Sequence, residues 1–278
     1  MKVTVIVDNS VPISAKSPFL GEHGLSLLVE TTSYKLLLDA GQSGAVVHNL
    51  SLLGTHPCQL DAIAISHGHY DHTGGIPHIL RHRRQPIPIY AHEEIFGLRY
   101  SIAGGGRQFI GIPCSKEETI ALGAQWNLHR DPVEIAPNLW FSGGMPRKND
   151  FEQGDVKLIV SDECGCDCQD SIPDDTALYY ASERGLIVIG GCTHSGLVNT
   201  VQKGLEVTGQ TKLAGWIGGT HLGPVSKGQQ EQTLTILEDY APDFIAANHC
   251  TGFDMMAELR NRFGRKFIPA FIGTVIEF

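Results

Sequence analysis

The chain has 278 residues, 42% of them hydrophobic and 18% charged, enough apolar mass for one large core or two smaller ones. Its 30 acidic residues outnumber 21 basic ones for a net charge of −9, and without long basic runs this excludes a nucleic acid held by bulk electrostatics as the expected partner. No run approaches the roughly 18 to 20 apolar residues that span a bilayer, and Asp8 breaks the apolar start MKVTVIVDNS too early for an export signal, so the expected location is the cytoplasm, away from membranes.

In chain order, runs of Val, Ile and Leu bounded by Gly, Pro, Asp or Asn predict strands over Val3 to Val7, Leu25 to Glu30 and Tyr34 to Leu38. A helix is predicted over Gly44 to Leu53, a strand over Ala62 to Ile65, and a second helix over Ile76 to Arg84, which ends in a cationic run that the helix dipole favours. Strands follow over Ile87 to Tyr90, Leu139 to Ser142, Lys157 to Val160, Ala177 to Ala181 and Leu186 to Ile189, with a helix over Lys116 to Leu122 among them. The last stretch alternates helices over Leu197 to Thr208, Lys227 to Tyr240 and Asp254 to Phe263 with strands over Leu213 to Ile217, Phe244 to Ala247 and Thr274 to Glu277. Hairpin-like runs mixed with strand–helix alternation predict an α/β (α+β) class with sheets covered by helices, in one domain over 1–278 built from two halves that meet near 140–155.

Four apolar segments end in a histidine turn: DAIAISHGH, GLIVIGGCTH, KLAGWIGGTH and PDFIAANHC. Ligand sites of open α/β sheets form at the carboxyl ends of strands, so His67, His194, His221 and His249 are expected to converge. The first of these turns reads HGHYDH. His67 and His69, two apart, can chelate one ion from an extended turn; the spacing is wrong for the i, i+4 pair of a helical zinc protease. Asp71 and His72 begin the next turn and suit a second ion, and downstream Cys192, His194, His221 and His249 offer the remaining ligands. Imidazole and carboxylate donors suit Zn, Fe or Mn, and one or two such ions would activate water against an ester, amide, lactone or phosphodiester of small-molecule size.

HGHYDH resembles the H-x-H-x-D-H signature of the metallo-β-lactamase superfamily, and Asp39 in LLLDAG resembles the aspartate that precedes that signature and supports the site. The resemblance implies a four-layer αβ/βα sandwich, a metal-dependent hydrolase, and a catalytic role for Asp71 in orienting the nucleophile or receiving its proton. It further implies that His67, His69 and His194 hold one divalent ion, zinc before iron or manganese, and that Asp71, His72 and His249 hold another. The superfamily usually has a third-motif histidine, which is absent from Pro173 to Leu178, and a bridging aspartate, which here falls at Gly191-Cys192. His194 is therefore expected to supply the missing imidazole, with Cys192 a ligand of the second ion or its neighbour. His221 is left as ligand, substrate contact or orienting donor. The pieces GCTHSG, GGTHL and HCTG resemble the branch containing dihydropterin or ribofuranosylaminobenzene phosphate synthase-like proteins, which implies a phosphorylated pterin-type substrate. Two rivals carry the same ligands: a di-iron oxidoreductase fed by a separate electron donor, and a binder of metal or pterin without catalysis.

Outside these turns, Asp174 and Asp175 read as a capping pair before carboxylates that support the site, and Cys164, Cys166 and Cys168 as a reduced loop before an accessory zinc or iron site or a redox switch, because three alternate thiolates crowd one ion and seldom cross-link one another. The segment around Gly104-Gly105-Gly106 reads either as a mobile linker or as a lid whose Arg99 and Arg107 meet a substrate anion.

Overall fold

The turns that carry the chemistry all follow strands of parallel register, and two seven-stranded sheets supply those strands. The computed structural model describes residues 1–161 and 165–278. They divide into two compact units: residues 1–128, 156–170 and 271–278, and residues 129–155 and 171–270.

In the first unit the sheet order is Val275–Glu277, Lys2–Val7, Ser26–Glu30, Lys35–Leu38, Ala62–Ala64, Ile87–Ala91 and Ala124–Leu128. Pairing is antiparallel up to Lys35–Leu38 and parallel from there on. Leu36, Leu37, Leu38, Ala62, Ile63 and Ala64 are fully buried, as a parallel strand shielded on both faces requires. Val46 and Leu50 of the helix Ala45–Leu52, with Ile76, Ile79 and Leu80 of the helix Ile76–Arg81, close a core over Leu37, Ile63 and Ile89. Each such side chain contributes roughly 1.5–3 kcal/mol by leaving water.

The same unit holds a smaller antiparallel sheet, in the order Asp167–Gln169, Leu158–Ser161, Leu98–Ser101 and Gln108–Phe109. The linker or lid expected around the glycine run is thus a β-hairpin, with Gly104 and Gly105 at positive φ between its strands. Periodicity does not display this hairpin, because the ladder that orders Leu98–Ser101 is supplied by Leu158–Ser161, far downstream in the chain.

In the second unit Phe267–Pro269, Phe244–Ala247, Leu213–Gly218 and Gly185–Gly190 run parallel, and Ala177–Ser182, Leu139–Phe141 and Val133–Ala136 continue the sheet antiparallel. The helices Leu197–Thr208, Lys227–Tyr240 and Phe253–Phe263 bury Val201, Leu237 and Leu259 over Val188, Trp216 and Ile245. No helix among the described residues is long and apolar enough to cross a membrane.

The helix Leu197–Thr208 opens on Gly196, which has no side chain to cap it. Glu152 does so instead: its Oε1 accepts from Val198 N at 2.8 Å and its Oε2 from Asn199 N at 2.9 Å, while Asn149 Nδ2 donates to Oε2 at 2.8 Å. The carboxylate is buried where the helix dipole is positive, so it satisfies two amides that would otherwise face no acceptor. Glu152→Ala is expected to lower unfolding stability by about 1–3 kcal/mol, read by denaturant titration. Glu152→Gln, which keeps one acceptor, should lose less.

Candidate metal centre

In the first unit the strand ends Lys35–Leu38 and Ala62–Ala64 lie side by side, so Asp39 and the turn after Ala64 leave the sheet at one edge. Asp39 is fully buried and sits at φ 60°. Its Oδ1 accepts from Ser66 N, and its Oδ2 from Ser66 Oγ and His72 Nδ1, all at 2.7 Å. Gly75 holds this loop in place: a Cβ there would lie 1.9 Å from Ala40 O, which explains why the HGHYDH turn runs into glycine.

These bonds fix proton positions. An ionised carboxylate only accepts, so the single hydroxyl proton of Ser66 goes to Asp39. Ser66 Oγ lies 2.9 Å from His67 Nδ1, so that nitrogen is the donor, and His67 Nε2 carries no proton. By the same logic His72 donates from Nδ1 to Asp39 and its Nε2 is the unprotonated nitrogen. His67 Nε2 points at His69 Nδ1 across 2.9 Å. Two zinc–nitrogen bonds of about 2.0–2.1 Å hold their nitrogens about 2.9–3.4 Å apart at angles of about 90–109°, so this pair fits one shared cation. The short helix Tyr70–Thr73 then carries Asp71 and His72, with Asp71 Oδ2 3.6 Å from His72 Nε2 and 3.2 Å from His23 Nε2. His67, His69, Asp71 and His72 are all buried. Buried imidazoles with unprotonated Nε2 atoms and a neighbouring carboxylate match the donor set of a divalent ion.

In the second unit three parallel strand ends carry the remaining residues. Gly185–Gly190 leads to Cys192 and His194, Leu213–Gly218 to His221, and Phe244–Ala247 to His249 and Cys250. Cross-links hold the three turns together: Gly219 N donates to Gly191 O at 2.9 Å, Thr193 Oγ1 to Gly219 O at 2.8 Å, and Thr220 N to Thr251 Oγ1 at 3.2 Å. Asp175 anchors the first turn by accepting from Ser195 N at 2.7 Å. Burial pushes its carboxyl above the usual range, and the Ser195 hydrogen bonds pull the other way. The rings of His194 and His221 stand 4.1 Å apart, and one donor atom each from Cys192, His221 and Cys250 lies within 4.8 Å of the others. Burial alone raises the Cys250 thiol; Cys192, His221 and His249 outweigh that and hold it well below its ordinary value.

Other residues singled out in the sequence lie elsewhere. Arg99 is 1% exposed and its guanidinium pairs with Asp170 at 2.5 Å, so it serves the interior of the small sheet. Arg107 lies over the Tyr100 ring at 3.8 Å and donates to Ser161 Oγ at 2.5 Å, with Asp167 3.5 Å away. Cys166 and Cys168 are exposed, and Cys164 lies outside the described residues. Ser66 and His23 went unnoticed: a serine before the motif and a histidine in a Gly-rich loop carry no periodic signal.

Histidine, cysteine and carboxylate side chains at the carboxyl ends of parallel strands in two sheets are an arrangement suited to binding metal. The metallo-beta-lactamase superfamily pattern matches residues 21–155. The 7,8-dihydropterin-6-methyl-4-(beta-D-ribofuranosyl)-aminobenzene-5'-phosphate synthase of Methanocaldococcus jannaschii is 32% identical over 94% of this chain and 92% of its own length. The chain belongs to the metallo-beta-lactamase superfamily. Among solved structures, Tm1679, a metal-dependent hydrolase of the beta-lactamase superfamily, aligns with a TM-score of 0.84 at 24% identity over 100% of this chain and 99% of its own. Zn(2+)-bound PqqB from Methylobacterium extorquens aligns at 0.60 and 13% identity, over 100% of both chains. The mixed α/β class expected from the sequence is therefore the fold observed, that of the metallo-beta-lactamase sandwich.

Replacing Asp39 by Asn keeps its shape but turns a donor toward Ser66 or His72, so the tautomers are no longer fixed. Asp39→Asn is expected to weaken metal affinity by about 10- to 100-fold, read by competition with a chromogenic chelator, with the circular dichroism spectrum little changed.

Proposed function

We propose that the chain is a metal-dependent hydrolase of a small-molecule ester, lactone or phosphate-type substrate, with a phosphorylated, pterin-related compound the favoured class. The observation that carries this reading is the buried cluster in which Asp39 and Ser66 fix the tautomers of His67 and His72, with unprotonated Nε2 atoms, beside His69 and Asp71. The reading assigns His67, His69 and His194 to one divalent ion and Asp71, His72 and His249 to a second, zinc being the ion expected.

When bound, such ions act as Lewis acids and lower the pKa of water to about 7. The chain's own groups do the rest. Asp39 holds the imidazoles in one orientation throughout, so little reorganisation accompanies reaction. Asp71 is placed to orient the attacking water or receive its proton, and its carboxylate lies 3.2 Å from Nε2 of the more exposed His23, which offers that proton a way out to solvent. The pterin and phosphate part of the reading rests on the full-length relative, whose name carries a dihydropterin and a 5'-phosphate. The same relative favours a second reading, a synthase joining two such pieces, which would show no turnover until both are supplied.

His69→Ala is expected to lower bound metal sharply in elemental analysis. Turnover across a panel of phosphate esters, phosphodiesters and lactones should fall by about 100-fold or more, as the loss of several kcal/mol of charge stabilisation implies. Chelation of the unmodified protein should abolish turnover reversibly. Full metal stoichiometry in the variant would overturn the ligand assignment, and turnover that survives chelation would overturn the reaction class.

A further inference from the structure

The first unit carries a cavity of about 530 Å³ to which the metal cluster contributes no side chain. Phe96, Phe109 and Ile112 line it with apolar surface, and Gly97 adds backbone without a side chain. Cavities of this size suit a small organic ligand. Its place follows from the sheet. Ile87–Ala91 runs parallel to Ala62–Ala64, so the chain that leaves Ala91 for Phe96 and Gly97 emerges at the edge where HGHYDH also emerges. The return strand of the hairpin is tied to that motif: Ile110 O accepts from Tyr70 N at 2.9 Å, and Ile110 N donates to Arg99 O at 2.9 Å. Phe109 is thus one residue from a backbone contact with the turn that carries His69 and Asp71.

Both rings are fixed before any ligand arrives. Phe96 meets Trp126 edge-to-face, with centroids 4.9 Å apart at 73°, and Phe109 meets Tyr100 in the same manner at 5.4 Å and 71°. The ring of Phe109 also needs Gly111, where a Cβ would fall 2.8 Å from its Cζ. Phe109 nevertheless stays 43% exposed, and Leu98, which also lines the cavity, 50%. A rigid aromatic ring left wet gains when a flat apolar face covers it, and little order is lost in doing so. Lys116, whose Nζ stands 5.8 Å from the Phe96 centroid, and Glu117 bring opposite charges to the same cavity. A ring with donors and acceptors along its edge answers both, whereas a plain hydrocarbon would strip water from them without replacing it.

We propose that this cavity binds the planar, heteroaromatic part of the substrate against the rings of Phe96 and Phe109, with the polar edge of that part toward Lys116 and Glu117. The proposal deepens the hydrolase reading above and rests on it for the reaction. The cavity supplies binding remote from the reacting bond, and Phe109 is the residue that sets the preference for a flat ring.

The test titrates the metal-free full chain with pterin, a fluorescent bicyclic heterocycle, and follows fluorescence anisotropy. Wild type should bind it without metal, because none of His67, His69, Asp71 or His72 lines the cavity. Phe109→Ala, at an exposed position, should weaken binding by about 5- to 10-fold, the loss of one aromatic stacking partner. Phe109→Tyr, which keeps the ring, should bind as wild type does, and His69→Ala should leave binding unchanged. Pterin binding without turnover across the ester, phosphodiester and lactone panel would support the cavity and overturn the hydrolase reading, so the two fail separately. A second measurement uses the unmodified protein. Cys114 lines the cavity, and burial, with the Glu118 carboxylate adding to it, pushes its thiol up to about 11, so it alkylates slowly. Saturating pterin should slow Cys114 further, mapped peptide by peptide, and leave the exposed Cys58 unaffected. No binding of pterin by wild type, equal affinity in wild type and Phe109→Ala, or a Cys114 alkylated at one rate with and without pterin would overturn the site.

Discussion

The buried carboxylate of Asp39 is the constraint on which the first unit's chemistry depends. A carboxylate held away from water is stable only when its lone pairs are filled, and here Ser66 supplies an amide and a hydroxyl and His72 an imidazole N–H. Because the carboxylate can only accept, it dictates where three protons sit: on the Ser66 hydroxyl, on His67 Nδ1 and on His72 Nδ1. One acceptor in the interior thereby sets two imidazoles in the tautomer whose Nε2 carries no proton. Placing such a group on the residue that follows an inner strand is what makes the arrangement rigid, since that strand, Lys35–Leu38, is locked between neighbours on both sides.

The same logic of rigid strands and strained turns recurs in the second unit. Thr193, His221 and His249 adopt positive φ within three residues of the ends of largely buried strands, and Asp39 does so directly after one in the first unit. Free chains would relax out of these conformations. They persist because parallel strands end in register at one edge of a sheet, so the turns that leave them are held at both ends by packed core. Part of the backbone strain thus falls on Asp39, His221 and His249, where relaxation would move the side chains the turns present.

Much of this was legible in the sequence. The HGHYDH turn is local, so four buried donors could be read off six residues, and four apolar runs ending in histidine turns marked strand ends of the main sheets. What stayed hidden depends on distant partners. Glu152 caps a helix that begins at Leu197, and nothing in its own neighbourhood says so. Leu98–Ser101 becomes a strand only through Leu158–Ser161, and Ala124–Leu128 and Val133–Ala136 mix polar residues into half-buried edges that blur the two-residue period. Arg99 looked like an anion contact because a cation beside a glycine run is ambiguous, whereas Asp170, which pairs with it, sits seventy-one residues away.

The two units differ in donor chemistry, and the difference has a direction. Within HGHYDH every donor is an imidazole or a carboxylate, whereas two sulfurs join the imidazoles at the strand ends of the second unit. Where the superfamily resemblance leads one to expect a bridging aspartate, this chain has Cys192. An ionised thiol carries the same single charge as a carboxylate, so the substitution leaves the charge balance intact while changing polarisability and lengthening the bond to an ion by about 0.2 Å. A lone cysteine at that position would be a change in one ligand. A second sulfur at Cys250, and at Gly219 the absence of the side chain that would collide with it, make the change a property of the whole corner.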